Sequence, residues 1–195
     1  MTDLVIGERL HTVEELMALG SDAHIEVIEG EIVEMSPVGG LHHFVAGNIY
    51  DELRAFTRKH NLGFVFMDGL LYLLHKEGKG IRGAQVPDVS YIRASDMVSG
   101  WKIEQPYPGA PTLAVEVMSP DDKIEEVLGR VRRYLQAGGE QVWLVFPKER
   151  ELHQYHRATP NSVLIYQHED TLEGETLLPG FSLKISDVFV VPKLR

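Results

Sequence analysis

A chain of 195 residues, 44% hydrophobic and 25% charged, suits one globular domain with one sizeable core. It has no cysteine, which excludes disulfides and thiolate chemistry and fits a reducing cytoplasm. Its formal net charge of -10 runs against the basic balance of most nucleic-acid binders, although a local basic patch counts for more than a total.

In chain order, MTDLVIGERL is acidic and too poor in apolar residues for a signal peptide, and no later run has the ~18 apolar residues of a membrane span. HTVEELMAL sets Thr12 three positions before Glu15, a capping box that opens a short helix ahead of Leu16 and Leu19. HIEVIEGEIVEMSP holds two apolar-rich runs around Glu29-Gly30 and predicts a hairpin. Pro37, Gly39 and Gly40 break the chain. Val45, Ile49, Leu53 and Phe56 then recur at helical spacing, predicting a helix from His42 to about His60.

GFVFMDGLLYLLHKEGKGI predicts two strands, broken at Asp68-Gly69 and around Gly78–Gly80, and DVSYI predicts a third. Residues 94–111 read as loop. TLAVEV is a near-continuous apolar run, as in a strand covered on both faces. DDKIEEVLGRVRRYLQAGG carries an apolar stripe of Ile124, Val127, Leu128, Val131 and Leu135, and Gly138-Gly139 ends the helix. QVWLVFP is the next strand, so strand, helix and strand predict a crossover with parallel pairing. ELHQYHR, SVLIYQH and SLKISDVFV read as further strands. The expected architecture is α/β: one domain over residues 1–195, a mixed sheet flanked by helices.

Two acids fall in strand-like runs. Asp88 follows Pro87 directly and reads either as a turn acid before an edge strand or as a ligand. Glu116 lies inside LAVEVM, where a lone ionised carboxylate is costly to bury. It can pair with an arginine, point outward, or join Asp88 around a divalent cation, since Mg²⁺ prefers oxygen ligands. On the following helix, Arg130, Lys123 and Tyr134 lie on one flank of the stripe, with Val131 at its centre. That flank can lean toward Glu116 or merely snorkel over apolar surface. The glycines at 78, 80 and 83 do not form a nucleotide loop, and the scattered histidines do not suggest zinc.

AHIEVIEGEIVEMSP, the histidine-led helix, PDVSYI, PTLAVEVMSP and RVRRYLQAGGEQVWLVFP, in this order, resemble the bacterial "putative restriction endonuclease" family of the PD-(D/E)xK nuclease superfamily. The resemblance runs from about Thr12 to LPGFSLKISDVF. It implies a restriction-endonuclease-like fold and a Mg²⁺- or Mn²⁺-dependent endonuclease acting on DNA. It implies Asp88 and Glu116 as metal carboxylates, the backbone carbonyl near Val117 as a further ligand, Glu26 as a third acid, and His42 as the histidine that opens the long helix. The superfamily lysine usually stands two residues after the strand acid, where this chain has Met118. In this family it lies on the helix four residues before the tyrosine, where this chain has Arg130. An arginine can neutralise a phosphate but stays protonated, and Lys123 is a conceivable substitute. The alternative is a degenerate nuclease fold that binds nucleic acid or a protein partner without cutting. A homodimer is expected, because paired cuts in a duplex need two sites and the SVLIYQH edge needs cover.

Overall fold

The structure, a computed structural model, describes residues 9–20 and 23–192. The first half runs β1 (His11–Thr12), α1 (Val13–Met17), β2 (Ile25–Ile28), β3 (Glu31–Glu34), α2 (Gly40–His60), β4 (Gly63–Met67), β5 (Tyr72–Glu77), β6 (Gly80–Gln85) and β7 (Val89–Arg93). The second half runs β8 (Leu113–Val117), α3 (Ile124–Gln136), β9 (Gln141–Phe146), β10 (Glu151–His156), β11 (Val163–Gln167), β12 (Thr171–Glu173), β13 (Ser182–Lys184) and α4 (Ile185–Val188).

A six-stranded mixed sheet has the order β11-β10-β9-β8-β7-β4. Its one parallel pair is β8 with β9, the two strands that α3 connects. The hairpin-like neighbours are all antiparallel. Strand alternation then sorts β8 between two layers. Leu113, Val115 and Val117 join Val45, Ile49 and Leu53 of α2 in the main core, with Trp143 fully buried among them. Ala114 faces the other way and packs with Val131 and Tyr134 of α3. Glu116 shares the parity of Ala114, so it belongs to the α3 layer.

The second sheet is antiparallel. β6 pairs with β5 along one edge, and β1 and β2 pair with it elsewhere, with β3 completing the β2 hairpin. Glu29 (φ 52) and Gly30 (φ 91) form the hairpin turn, the pair of positive φ angles that a two-residue I′ turn requires. The capping box is present: Thr12 accepts from the Glu15 backbone, and the Glu15 side chain returns to the Thr12 backbone. β6 runs through Val86 and Pro87 into Asp88 and then β7, so the site sits where the two sheets join. No helix among the described residues is long and apolar enough to cross a membrane.

Three expectations need correction. GIRGAQ forms β6, although its glycines give it little strand propensity; a Cβ on Gly80 would stand 2.5 Å from the Leu10 Cβ, so this position serves close approach rather than packing. SLKISDVFV is a strand only to Lys184, after which Ile185–Val188 turn into a helix that buries Ile185 and Val188. The buried face of α3 is Val127, Val131 and Tyr134, rotated from the expected stripe; Ile124 is 43% exposed.

Candidate active site

Each acid is placed by a different element. Extending the β7–β8 ladder one residue past Val89↔Val115 sets Asp88 opposite Glu116. Pro87 fixes the approach, and the Val117 backbone N–H donates to Asp88 Oδ2 at 2.7 Å. His42, in the first turn of α2, brings Nε2 to 3.2 Å from the same oxygen. Glu116 is 3% exposed. The Tyr134 hydroxyl donates to its Oε1 at 2.9 Å, and Arg130 donates to its Oε2 at 3.2 Å. Glu26, on β2 and 1% exposed, has its Oε2 3.4 Å from Arg130 Nε. The Val86 N–H donates to its other oxygen at 3.5 Å. The Arg130 guanidinium therefore bridges two buried carboxylates from two different sheets.

Burial sets the electrostatics. It raises the Glu116 carboxyl well above the usual range, and the charges of Asp88 and Glu26 push the same way; Arg130 and Tyr134 oppose them. Burial also raises Glu26, against the pull of Arg130. At Arg130 burial disfavours the cation, but Glu116 and Glu26 outweigh it and hold the guanidinium more firmly charged. At His42 burial likewise disfavours the cation, while Asp88 outweighs it and raises its proton affinity. Burial and the acid Glu116 raise the Tyr134 hydroxyl well above its ordinary range, so it acts as a donor.

Glu26, His42, Asp88 and Arg130 line an open cavity of about 620 Å³ together with Arg132 and Arg133, while Glu116 and Tyr134 lie buried behind Arg130. The three arginines share the lining with seven acids, among them Asp121, Asp122, Glu125 and Glu126, so the cavity is not a basic patch and keeps the acidic balance of the chain. The model of the Uma2 family, described as "Putative restriction endonuclease", matches residues 10–186. The chain belongs to that family. A crystal structure from Anabaena variabilis, described as a putative nuclease, has the same fold: the TM-score is 0.74 at 19% identity, covering 92% of this chain and 97% of that one. No curated protein matches the chain. Family and fold are thus those of nuclease-like proteins.

Against the Uma2 resemblance, the structure brings Asp88, Glu116, Glu26, His42 and Arg130 together. It does not bring Lys123, which caps α3, stands largely in solvent and pairs with Glu126 at 2.9 Å. Two residues escaped the sequence reading. Asp68 follows β4, and the β4–β7 register sets it opposite Asp88; partial burial and the Asp88 charge raise its carboxyl. Gln85 is fully buried, with Arg133 Nε donating to its Oε1 at 3.2 Å and its side chain favouring the ionised form of Glu26. An acid directly after a strand was the available signal for Asp68; nothing local marks Gln85.

Among the described residues, no three His, Asp or Glu side chains form a ready-made metal cluster. The donor chemistry still fits a hard divalent cation. Asp88 and Glu116 are opposed acids, and Glu116 is raised by burial first and then by the charge of Asp88, a cost that a bound cation would offset. Glu26 and Glu116 both turn an oxygen to Arg130, at 3.4 and 3.2 Å.

Proposed function

We propose that this chain is a Mg²⁺- or Mn²⁺-dependent endonuclease that hydrolyses DNA phosphodiesters. The observation that carries the reading is the Arg130 guanidinium held between Glu26 and Glu116, beside Asp88, in an open cavity. Asp88, Glu116 and the Val117 backbone carbonyl would hold the ion. When bound, such an ion polarises the phosphoryl oxygen and lowers the pKa of water.

The remaining roles belong to the chain itself. Arg130 binds a non-bridging oxygen of the scissile phosphate and offsets its developing charge. It does not take the proton, because its two acid neighbours keep it charged. Tyr134 fixes the rotamer of Glu116 through its hydroxyl. His42 and the Val117 N–H orient Asp88. A second copy of the chain would supply the second cut of a duplex.

One observation favours a second reading. Arg130 already pairs with two carboxylates, an arrangement that a binding protein without activity could also use. The test is cleavage of plasmid, single-stranded DNA and RNA by purified protein with Mg²⁺, Mn²⁺ or neither. Metal-dependent cutting that disappears in Glu116→Gln supports the enzyme. Cutting unchanged in Glu116→Gln marks a contaminant. No metal-dependent cutting by wild type or by Arg130→Lys turns the reading to the non-cleaving binder.

A further inference from the structure

Next to the catalytic cavity lies an apolar hollow of about 350 Å³. Leu41 and Ile124 wall it from the first turns of α2 and α3, Met118 and Pro120 from the loop after β8, and Phe146 and Pro147 from the end of β9. His42, Ser119 and Asp122 line both spaces, so hollow and cavity adjoin at these residues. Lys148 and Glu149 stand at the hollow as well.

The walls are preformed. The Met118 N–H donates to the Val145 carbonyl at 2.8 Å, and the Ser119 N–H to Asp122 Oδ2 at 2.7 Å. Together these bonds tie the loop to β9 and to itself. The Phe146 ring is braced by His153, with ring centroids 4.4 Å apart. Leu41 is 48% exposed, and Ile124 is nearly as open, so both present apolar surface without an internal partner to cover it. The size falls within the roughly 300–1,000 Å³ of small-ligand pockets, and apolar walls with a few polar groups are their usual lining.

We propose that this hollow receives the nucleobase of the nucleotide adjoining the scissile phosphate. The position of the phosphate rests on the nuclease reading above. Adjacency decides the occupant: the His42 edge shared by the two spaces puts a group in the hollow next to whatever lies at Asp88 and Arg130. In a nucleic acid, the apolar group one sugar away from a phosphate is a base. Its flat face fits a braced aromatic ring, and Lys148 meets the next phosphate. A base can enter only when unpaired, so single strands, frayed ends or flipped nucleotides are the preferred substrates over intact duplex.

The test reads binding and does not depend on cleavage. Calorimetry in Mg²⁺ buffer compares thymidine 5′-monophosphate with 2-deoxyribose 5-phosphate, on wild type, Leu41→Ser and Ile124→Ser. Both substituted positions are half exposed, so the fold is retained, as circular dichroism will check. The nucleotide is expected to bind about tenfold more tightly than the sugar phosphate, and both variants should lose that advantage while keeping the sugar-phosphate affinity. Equal binding of the two probes by wild type, or an advantage kept in both variants, overturns the proposal. A fall in oligomeric mass in the variants with unchanged nucleotide binding assigns the hollow to contact between copies, and also overturns it. A protein that binds the base but cuts nothing refutes the nuclease reading and still supports the hollow; one that cuts but binds both probes equally does the reverse.

Discussion

Arg130 is the residue on which the site turns. Removing one partner of a buried ion pair leaves the other charge stranded, at about 3–5 kcal/mol. Arg130→Ala strands two, Glu26 and Glu116, so urea denaturation should show a loss at the upper end of that range, and cutting should vanish with it. Arg130→Lys keeps the charge but not the fork, and should retain cutting if the position carries the superfamily role. Glu116 also makes the stability of the metal-free protein depend on pH. Its folded pKa lies above the unfolded value of about 4.3, so the folded chain binds more protons than the unfolded one between those two values. Stability therefore falls as pH rises through that window. His42 acts in the same direction: its raised folded pKa gives a contribution that is full below about pH 6.5 and lost as pH rises through the folded value. Thermal melts from about pH 5 to about pH 8 should show the decline, Glu116→Gln should reduce it to the share left by His42 and Glu26, and Mg²⁺ should raise the melting temperature more at the alkaline end. Equal stabilisation by Mg²⁺ in wild type and Glu116→Gln would contradict Glu116 as a ligand.

At the scale of elements, α3 connects chemistry to packing. One face buries Val127, Val131 and Tyr134, and the Tyr134 hydroxyl reaches Glu116 only because the ring packs beside Ala114. Tyr134→Phe preserves the ring and removes the donor, so the cost should be about 1–3 kcal/mol for an unsatisfied buried oxygen, together with slower cutting. Lys123→Ala should change neither stability nor cutting, because Lys123 reaches only Glu126 in solvent. The helical wheel placed Arg130, Lys123 and Tyr134 on one flank, and two of the three do reach the acids. Angle alone could not separate Lys123, which caps the helix a turn or more away along its axis. The missed strand β6 has the same kind of cause. Its pairing with β5, β1 and β2 is tertiary, while its own residues Gly80 and Gly83 argue against a strand.

At the scale of the whole molecule, the six-stranded sheet ends at β11, whose outer edge pairs with no strand among the described residues. Val163, Leu164 and Ile165 are exposed there, and no charged residue occurs from Ala158 to Gln167. Edge strands that stay alone are usually guarded by lysine, proline or a bulge within the strand. The neutral edge lets two copies of an acidic chain approach, and an antiparallel β11–β11 ladder closes on a two-fold axis. Light scattering at micromolar concentration should give a dimer, and Ile165→Lys should give a monomer. A monomeric wild type would refute this assembly.

The sequence by itself determined what depends on neighbours along the chain. The capping box at Thr12, the turn at Glu29-Gly30, the α2 periodicity and the β8–α3–β9 crossover are all local patterns, and all are present. It also singled out Glu116, because an acid within an apolar strand is costly wherever the strand goes, and Asp88, as the acid directly after Pro87 at the start of a strand. Only the tertiary structure decided what those acids meet. Glu26 comes from one sheet and Glu116 from the other, and α3 lays Arg130 between them, although no spacing in the sequence relates β2 to α3. Asp68 and Asp88 come opposite each other through the β4–β7 register, and Ile124 is left open to the hollow by the rotation of α3 that buries Tyr134. Periodicity fixes which face of an element is apolar. The charge partners follow from how elements distant in sequence pack, because a buried charge takes the nearest counter-charge in space.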